Sequence, residues 1–313
     1  MNPLIWALLI TSLTTSTIIT MTSNHWLLAW LGLEMNTLSI LPLIMKTHHP
    51  RATEATTKYF LAQAAAATMI LFATTMNAWQ TGHWTMTHTT PITATLITIA
   101  VMMKLGLAPT HLWYPEVLQG TTLYTALLIS TWQKIAPLTL LYMIHPHLNP
   151  HLLLLTGLLS TLIGGWTGLN QTQTRKLMAF SSIAHMGWAI IALTLTPNLT
   201  TLTMLTYIMM TTTLFTALAM TTTKTISDMG TAWPTSPTLL TTTMLTLMSL
   251  GGLPPLTGFM PKLLILKDLT TTHLVTFGML ALAMSLPSLF LYIRLAYFTV
   301  LTTPPQTTKL TMH

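Results

Sequence analysis

Apolar residues run through this 313-residue chain in long blocks separated by short polar connections. Ten blocks emerge, at about residues 3–21, 25–45, 57–78, 92–110, 123–144, 150–169, 176–195, 200–222, 239–267 and 275–298. Each approaches the ~20 residues that a helix needs to cross ~30 Å of hydrocarbon. The pattern predicts an all-α integral membrane protein, a single polytopic domain over 1–313 with about ten transmembrane helices. The first block has no basic lead and is as long as a full span, so it reads as a retained helix rather than a cleaved signal. Threonine recurs at lipid depth, where its hydroxyl can bond the carbonyl one turn back.

Two blocks carry helix breakers. The fourth passes through MMKLGLAPTHLWYP, with Gly106 and Pro109 just after Lys104. The ninth passes through SLGGLPPLTGFMPK, with Gly251, Gly252, Pro254, Pro255 and Gly258 ahead of Lys262. Broken backbone at membrane depth is tolerated where protein or a water-filled cavity covers the freed amides and carbonyls. The breaks lie five spans apart, so the broken spans cross in opposite directions. That is the mark of an inverted repeat whose discontinuous helices flag a transport site. The expected repeats cover about 1–145 and 150–298, followed by a polar tail over 299–313. The halves share no obvious sequence, so the repeat rests on pattern alone.

Charge refines the topology. The connections after spans 2, 6 and 8 carry Lys46, Arg51, Lys58, Arg175, Lys176 and Lys224, and the C-terminal end carries Arg294 and Lys309. The alternate connections lack Lys and Arg, except for Lys267 after span 9. By the positive-inside rule both ends of the chain face the cytosol-equivalent side. With 51% hydrophobic and only 5% charged residues, an ordinary soluble domain is excluded. The net charge of +7 comes from scattered residues rather than a basic stripe, so no nucleic-acid partner is expected. The absence of cysteine removes disulfides, thiolate zinc sites, cysteine-ligated iron–sulfur clusters and a cysteine nucleophile. GGLPPLTG lacks the Lys-Ser/Thr ending of a phosphate-binding loop, and no nucleotide site is assigned. His145, His147 and His151 share a loop with no carboxylate or cysteine beside them, and no metal is assigned there either.

Four ionisable residues stand out against this background: Glu34, Lys104, Lys134 and Lys262. A charge at bilayer depth costs at least ~2.5–3.5 kcal/mol on insertion scales, and such residues usually pair or line an ion path. Lys104 lies ~12 residues into its span, roughly 18 Å along a helix, beyond easy snorkelling reach. Lys134 and Glu34 are similarly central. The bland alternative is a buried ion pair or polar helix contact with no part in transport. The sharper reading makes Glu34 and Lys104 a switchable pair, because the protonation of a buried group moves with its surroundings. Lys134 and Lys262 then continue a relay through intervening water. His111 and His185 are secondary candidates, although a lone membrane histidine is as often a satisfied interhelical contact. Glu116 sits at a span end and reads as an interfacial or inter-subunit contact. The tryptophans mostly fall near span ends, where aromatic-belt anchoring accounts for them.

The stretches GLEMNTLSILPL, MKLGLAPTHLWYPEVLQG, TWQKIAPLTLLY, GGWTGLNQTQTRKLMAFSSIAHMGW and SLGGLPPLTGFMPK resemble the NADH–ubiquinone oxidoreductase chain 2 family. These are antiporter-like membrane-arm subunits of respiratory complex I, and the resemblance runs from residue 1 to about residue 298. It implies an antiporter-like fold with two inverted five-helix repeats. It puts the family's buried glutamate at Glu34, its broken-helix lysine at Lys104, its central lysine at Lys134 and its exit-side lysine at Lys262. It further implies a subunit of an H+-translocating NADH:ubiquinone reductase in the mitochondrial inner membrane, a setting that suits the Thr- and Met-rich composition. FMN, iron–sulfur clusters and ubiquinone belong to the complex as a whole, with no cofactor in this chain. Expected partners are other membrane-arm subunits, including antiporter-like neighbours, and membrane lipids such as cardiolipin. Animal members usually end in one more hydrophobic helix, so a truncated C-terminus is an open expectation. A cation/proton antiporter and a structural scaffold of the membrane arm are the competing functions. Against the antiporter, Glu34 is the only carboxylate at membrane depth, where a sodium site would call for several.

Overall fold

A computed structural model describes residues 3–47, 49–231 and 236–300. Within these the chain is helical, apart from turns and two isolated β-bridges. It divides into two compact units, residues 1–156 and 157–313. The tail expected over 299–313, Lys309 included, lies outside the described residues from position 301 onward.

The first unit holds α1 (Pro3–Thr22), α2 (Trp26–Ile44), α3 (Pro50–Thr81), α4 (Pro91–Leu105), α5 (Trp113–Gly120), α6 (Leu123–Ser130) and α7 (Trp132–Met143). α8 (Pro150–Gly168) straddles the division. The second unit continues with α9 (Thr174–Leu195), α10 (Pro197–Met220), the short α11 (Ile226–Thr231), α12 (Pro237–Gly251), α13 (Phe259–Thr271) and α14 (Val275–Val300). Seven of these, α1, α2, α3, α8, α9, α10 and α14, are each long and apolar enough to cross a membrane alone. The remaining three spans are assembled from two pieces each, α4 with α5, α6 with α7 and α12 with α13, which makes ten.

Local sequence explains the element ends. Proline opens α3, α4, α10 and α12, where its missing N–H is no loss. Inside the spans, hydroxyls of Thr17, Thr20, Thr74 and Thr211 donate to carbonyls three or four residues earlier. Such hydroxyls are satisfied within their own helix and can therefore sit at lipid depth.

Helices pack where side chains shrink. A Cβ at Gly32 of α2 would meet Thr20 and the Ser16 carbonyl of α1, so α1 and α2 approach through that position. In the second unit Gly157 and Gly164 of α8 lie against the backbone of Gly187 and Phe180 in α9. This small-residue contact is the usual means of close helix approach where lipid leaves little hydrophobic drive between helices.

Each unit repeats one connection in detail. In the first, Trp26 N–H donates to Trp84 O and Met86 N–H to Asn24 O, around the His25–Thr85 bridge. In the second, Thr174 N–H donates to Lys224 O and Ile226 N–H to Thr172 O, around the Gln173–Thr225 bridge. Within each unit, the connection after the first span is thus sewn to the connection after the third.

The broken spans also repeat. α4 ends at Gly106 (φ 71°) and α12 at Gly252 (φ 81°), both left-handed, a conformation that an L side chain reaches only at a cost. Leu107 N–H then reaches back to Met102 O, and Leu253 N–H to Met248 O. Ala108–Pro109 and Pro254–Pro255 are both cis. With the two breaks in register, Gly106, Leu107, Pro109 and Pro115 recur as Gly252, Leu253, Pro255 and Pro261 at one constant offset. The halves therefore do share sequence, in a stretch too short to stand out in the linear chain.

One expectation is corrected. The apolar block over about 123–144 predicts one unbroken helix, but the fifth span is interrupted at Thr131, between α6 and α7. Thr131 bonds back to the Leu127 carbonyl through both its N–H and its hydroxyl, at 3.0 and 2.7 Å. Lys134 consequently sits in the first turn of a new helix.

Candidate functional site

In the first unit α2, α3, α4, α5, α6 and α7 line a partly open cavity with about 340 Å³ of space unfilled by atoms. Among its lining residues are Asn36, Thr37, Tyr59, Gln63, Lys104, Gln133 and Lys134. The enclosed part has room for about one water molecule, and its polar walls supply the partners a buried water needs.

The break in the fourth span shapes this cavity. Ending α4 at Gly106 frees the carbonyls of its last turn, and three of them find donors. Gln63 Nε2 donates to Lys104 O at 3.4 Å, Trp113 Nε1 to Met103 O at 3.2 Å, and Leu107 N–H to Met102 O at 3.0 Å. Trp113 is held edge-on against both Tyr59 and Tyr114. The backbone is thus sealed by side chains from α3 and α5, while the Lys104 side chain stays inside.

Lys104 is only 6% exposed, and its ammonium nitrogen has no hydrogen-bond partner among the described residues. A lysine placed this way is either charged with water for a partner or neutral, and it can exchange between the two with little rearrangement. Lys134 is 2% exposed, with Nζ 4.9 Å above the centre of the Tyr114 ring. A cation over that face is attracted by the ring.

Glu34 lies one step outside the cavity. Thr37 Oγ1 donates to its Oε2 at 3.1 Å and to its backbone carbonyl at 2.8 Å, and Thr37 itself lines the cavity. Glu34 makes no salt bridge with Lys104. Ion pairs are found instead at Lys58, between Glu54 at 2.5 Å and Glu116 at 2.6 Å. Glu116 therefore has a partner within its own chain.

Three amides complete the arrangement and were not singled out from sequence. Gln133 Nε2 donates to Asn36 Oδ1 at 3.0 Å, and Tyr59 OH donates to Gln133 Oε1 at 3.4 Å. Gln63, Asn36 and Gln133 are all buried. An amide inside an apolar span is the readable signal, since burying one without a partner is costly.

The second unit treats its lysine differently. Lys262, in the first turn of α13, donates to the Gly251 carbonyl at 3.0 Å, at the C-terminal end of α12 where helix carbonyls favour a cation. Its Nζ lies 6.0 Å from the centre of the Trp188 ring. Trp188 is thus built into the interior, 4% exposed, whereas Trp79 and Trp166 face outward. His185 lies between the rings of Tyr207 and Tyr292, at 5.6 and 6.2 Å. His111 is buried in the break of the fourth span, its Nδ1 donating to the Pro109 carbonyl at 3.2 Å, and it does not line the cavity.

A family model described as NADH:quinone oxidoreductase/Mrp antiporter, transmembrane, matches residues 23–288. The chain is 55% identical to NADH-ubiquinone oxidoreductase chain 2 of Formosania lacustris, over 99% of this chain and 89% of that protein. It is 50% identical to the chain 2 of Xenopus laevis, over 99% of this chain and 90% of that protein. The chain belongs to the NADH–ubiquinone oxidoreductase chain 2 family. Among solved structures, a chain of respiratory complex I from Thermus thermophilus with bound aureothin superposes with a TM-score of 0.87, at 27% identity, over 95% of this chain and 71% of that one. A chain of the Mrp complex from Dietzia superposes with a TM-score of 0.84 at 17% identity, over 95% and 60%, and so shares the fold.

Proposed function

We propose that this chain is a proton-translocating membrane-arm subunit of an NADH:ubiquinone oxidoreductase, in which Glu34, Lys104, Lys134 and Lys262 load and pass the proton. The redox chemistry that drives it takes place in other subunits. The observation that carries this reading is the buried Lys104 ammonium, without a hydrogen-bond partner among the described residues, on the same polar cavity as Lys134. A lysine kept for packing would be closed off by a counter-ion, as Lys58 is by two carboxylates. Here Glu34 is bonded to Thr37 and makes no salt bridge with Lys104. This favours a group that changes its proton over a static ion pair. The Mrp-like fold alone would suit a free-standing antiporter equally well, and the high identity to chain 2 relatives favours the respiratory assignment.

The location that follows is the mitochondrial inner membrane, beside antiporter-like neighbours and lipids that include cardiolipin. Replacement of Lys134 by Met in the assembled, reconstituted enzyme tests the relay. The expected result is a lower number of protons pumped per electron with the complex still assembled. An undiminished ratio removes Lys134 from the path.

A further inference from the structure

The connection between α3 and α4 carries two histidines that the relay does not use. His83 and His88 are both exposed, and their ring centroids stand 5.3 Å apart with planes tilted by 38°. Neither ring makes a hydrogen bond among the described residues. The backbone beneath them is fixed: Asn77, fully buried in α3, donates through Nδ2 to His88 O at 2.9 Å and accepts Thr90 N–H at 3.1 Å. His83 N–H donates to Thr81 Oγ1 at 3.3 Å. Midway between them the β-bridge of Thr85 to His25 pins the turn, and Trp84 stacks on the His25 ring at 5.9 Å.

We propose that His83 and His88 form a two-imidazole site for a divalent transition-metal ion, zinc or, more tightly, copper. Metal–imidazole bonds of about 2.0–2.1 Å, with each ring centre about 1.1 Å behind its nitrogen, put two rings on a tetrahedral ion about 5.2 Å apart, centre to centre. The observed separation already matches, so binding needs ring rotation and little backbone movement. The remaining coordination positions face solvent and go to water. Between +2 ions of the first transition row the preference follows the usual order, with copper above nickel and zinc. No Lys or Arg lies between Gln80 and Pro91 to repel the ion. Once bound, it staples the turn that leads into α4, the helix that carries Lys104.

The test is a zinc titration of the full-length chain in detergent micelles, followed calorimetrically, for the wild type and for His83→Asn, His88→Asn and the double variant. Two ligands of one ion predict that either single variant loses the same binding event, because one imidazole alone holds the ion too weakly to register, and that the double variant loses nothing further. Binding unchanged in both single variants overturns the site. Losses that simply add in the double variant also overturn it, because they would mean two independent histidines.

Discussion

Replacing Gly252 with alanine separates backbone strain from the placement of Lys262. Gly252 has φ 81°, and an L-residue there pays about 1–2 kcal/mol for the left-handed backbone. A Cβ at this position would also stand 3.0 Å from both Cδ and Nζ of Lys262. Lysine is flexible, so the contact is relieved when the side chain swings away, and its 3.0 Å bond to the Gly251 carbonyl is lost. A hydrogen bond to a charged group contributes about 1.5–3 kcal/mol, so Gly252→Ala should cost about 2.5–5 kcal/mol in all. Gly82 supplies the control: its φ is 71°, but a Cβ there meets nothing within 4 Å, so Gly82→Ala should cost only the ~1–2 kcal/mol of backbone. Equilibrium unfolding of the full-length chain in mixed detergent micelles, followed by tryptophan fluorescence, measures both. In a Lys262→Met background the cost of Gly252→Ala should fall to that of Gly82→Ala, as a double-mutant cycle requires of coupled neighbours. Equal costs for the two glycines in the wild type, or a Gly252→Ala cost unchanged by Lys262→Met, would refute the reasoning.

Gln133→Leu strips the partner from Asn36 Oδ1 and from the Tyr59 hydroxyl at once. At ~1–3 kcal/mol for each unsatisfied buried group, the same unfolding assay should show a loss of about 2–6 kcal/mol. Asp228 gives a pH dependence. Its carboxylate accepts the N–H groups of Thr225 and Lys224, while Thr225 Oγ1 accepts the Asp228 N–H, a reciprocal cap on α11. Those bonds, the Thr225 backbone foremost, hold the carboxyl below the usual aspartate range. A depressed folded-state value means stability that is present above the ordinary carboxylate range of about 3.9 and lost as pH falls through the folded-state value. The protection of the amides over residues 225–230, each rate taken relative to its intrinsic value at the same pH, should accordingly be high near neutral pH and low in acid. Asp228→Ala should make that protection low at both.

The ten spans were legible because a membrane crossing demands length and apolarity, two quantities a sequence displays directly. The breaks in the fourth and ninth spans were legible for a similar reason, since Gly106, Pro109, Gly252 and Pro255 cannot continue a helix. The break at Thr131 was not. Threonine does not announce it, and Pro137, the nearest proline, falls well inside α7. Lys104 and Lys134 could be chosen from cost alone, whereas their shared cavity depends on the rotation of α4 and α7 about their axes. Rotation also decides that Glu34 speaks to the cavity through Thr37 rather than through a direct pair with Lys104. Weighing charge above hydrogen bonding left out Asn36, Gln63 and Gln133, although each pays a burial cost of the same kind. The paired connections at His25–Thr85 and Gln173–Thr225 join residues far apart in the chain, and no local pattern marks them.

The second half of the fourth span, α5, is fastened in its first turn by two different forces. At the break, Trp113 is bound to the Met103 carbonyl and packed among buried rings. One turn on, Glu116 is bound to Lys58 of α3, and both are substantially exposed. Dissolved ions screen exposed charges over a Debye length of about 8 Å at physiological strength and leave dry contacts nearly untouched. Raising the ionic strength should therefore release Glu116 from α3 and leave Trp113 in place beside the break, so that salt loosens one face of this first turn and not the other.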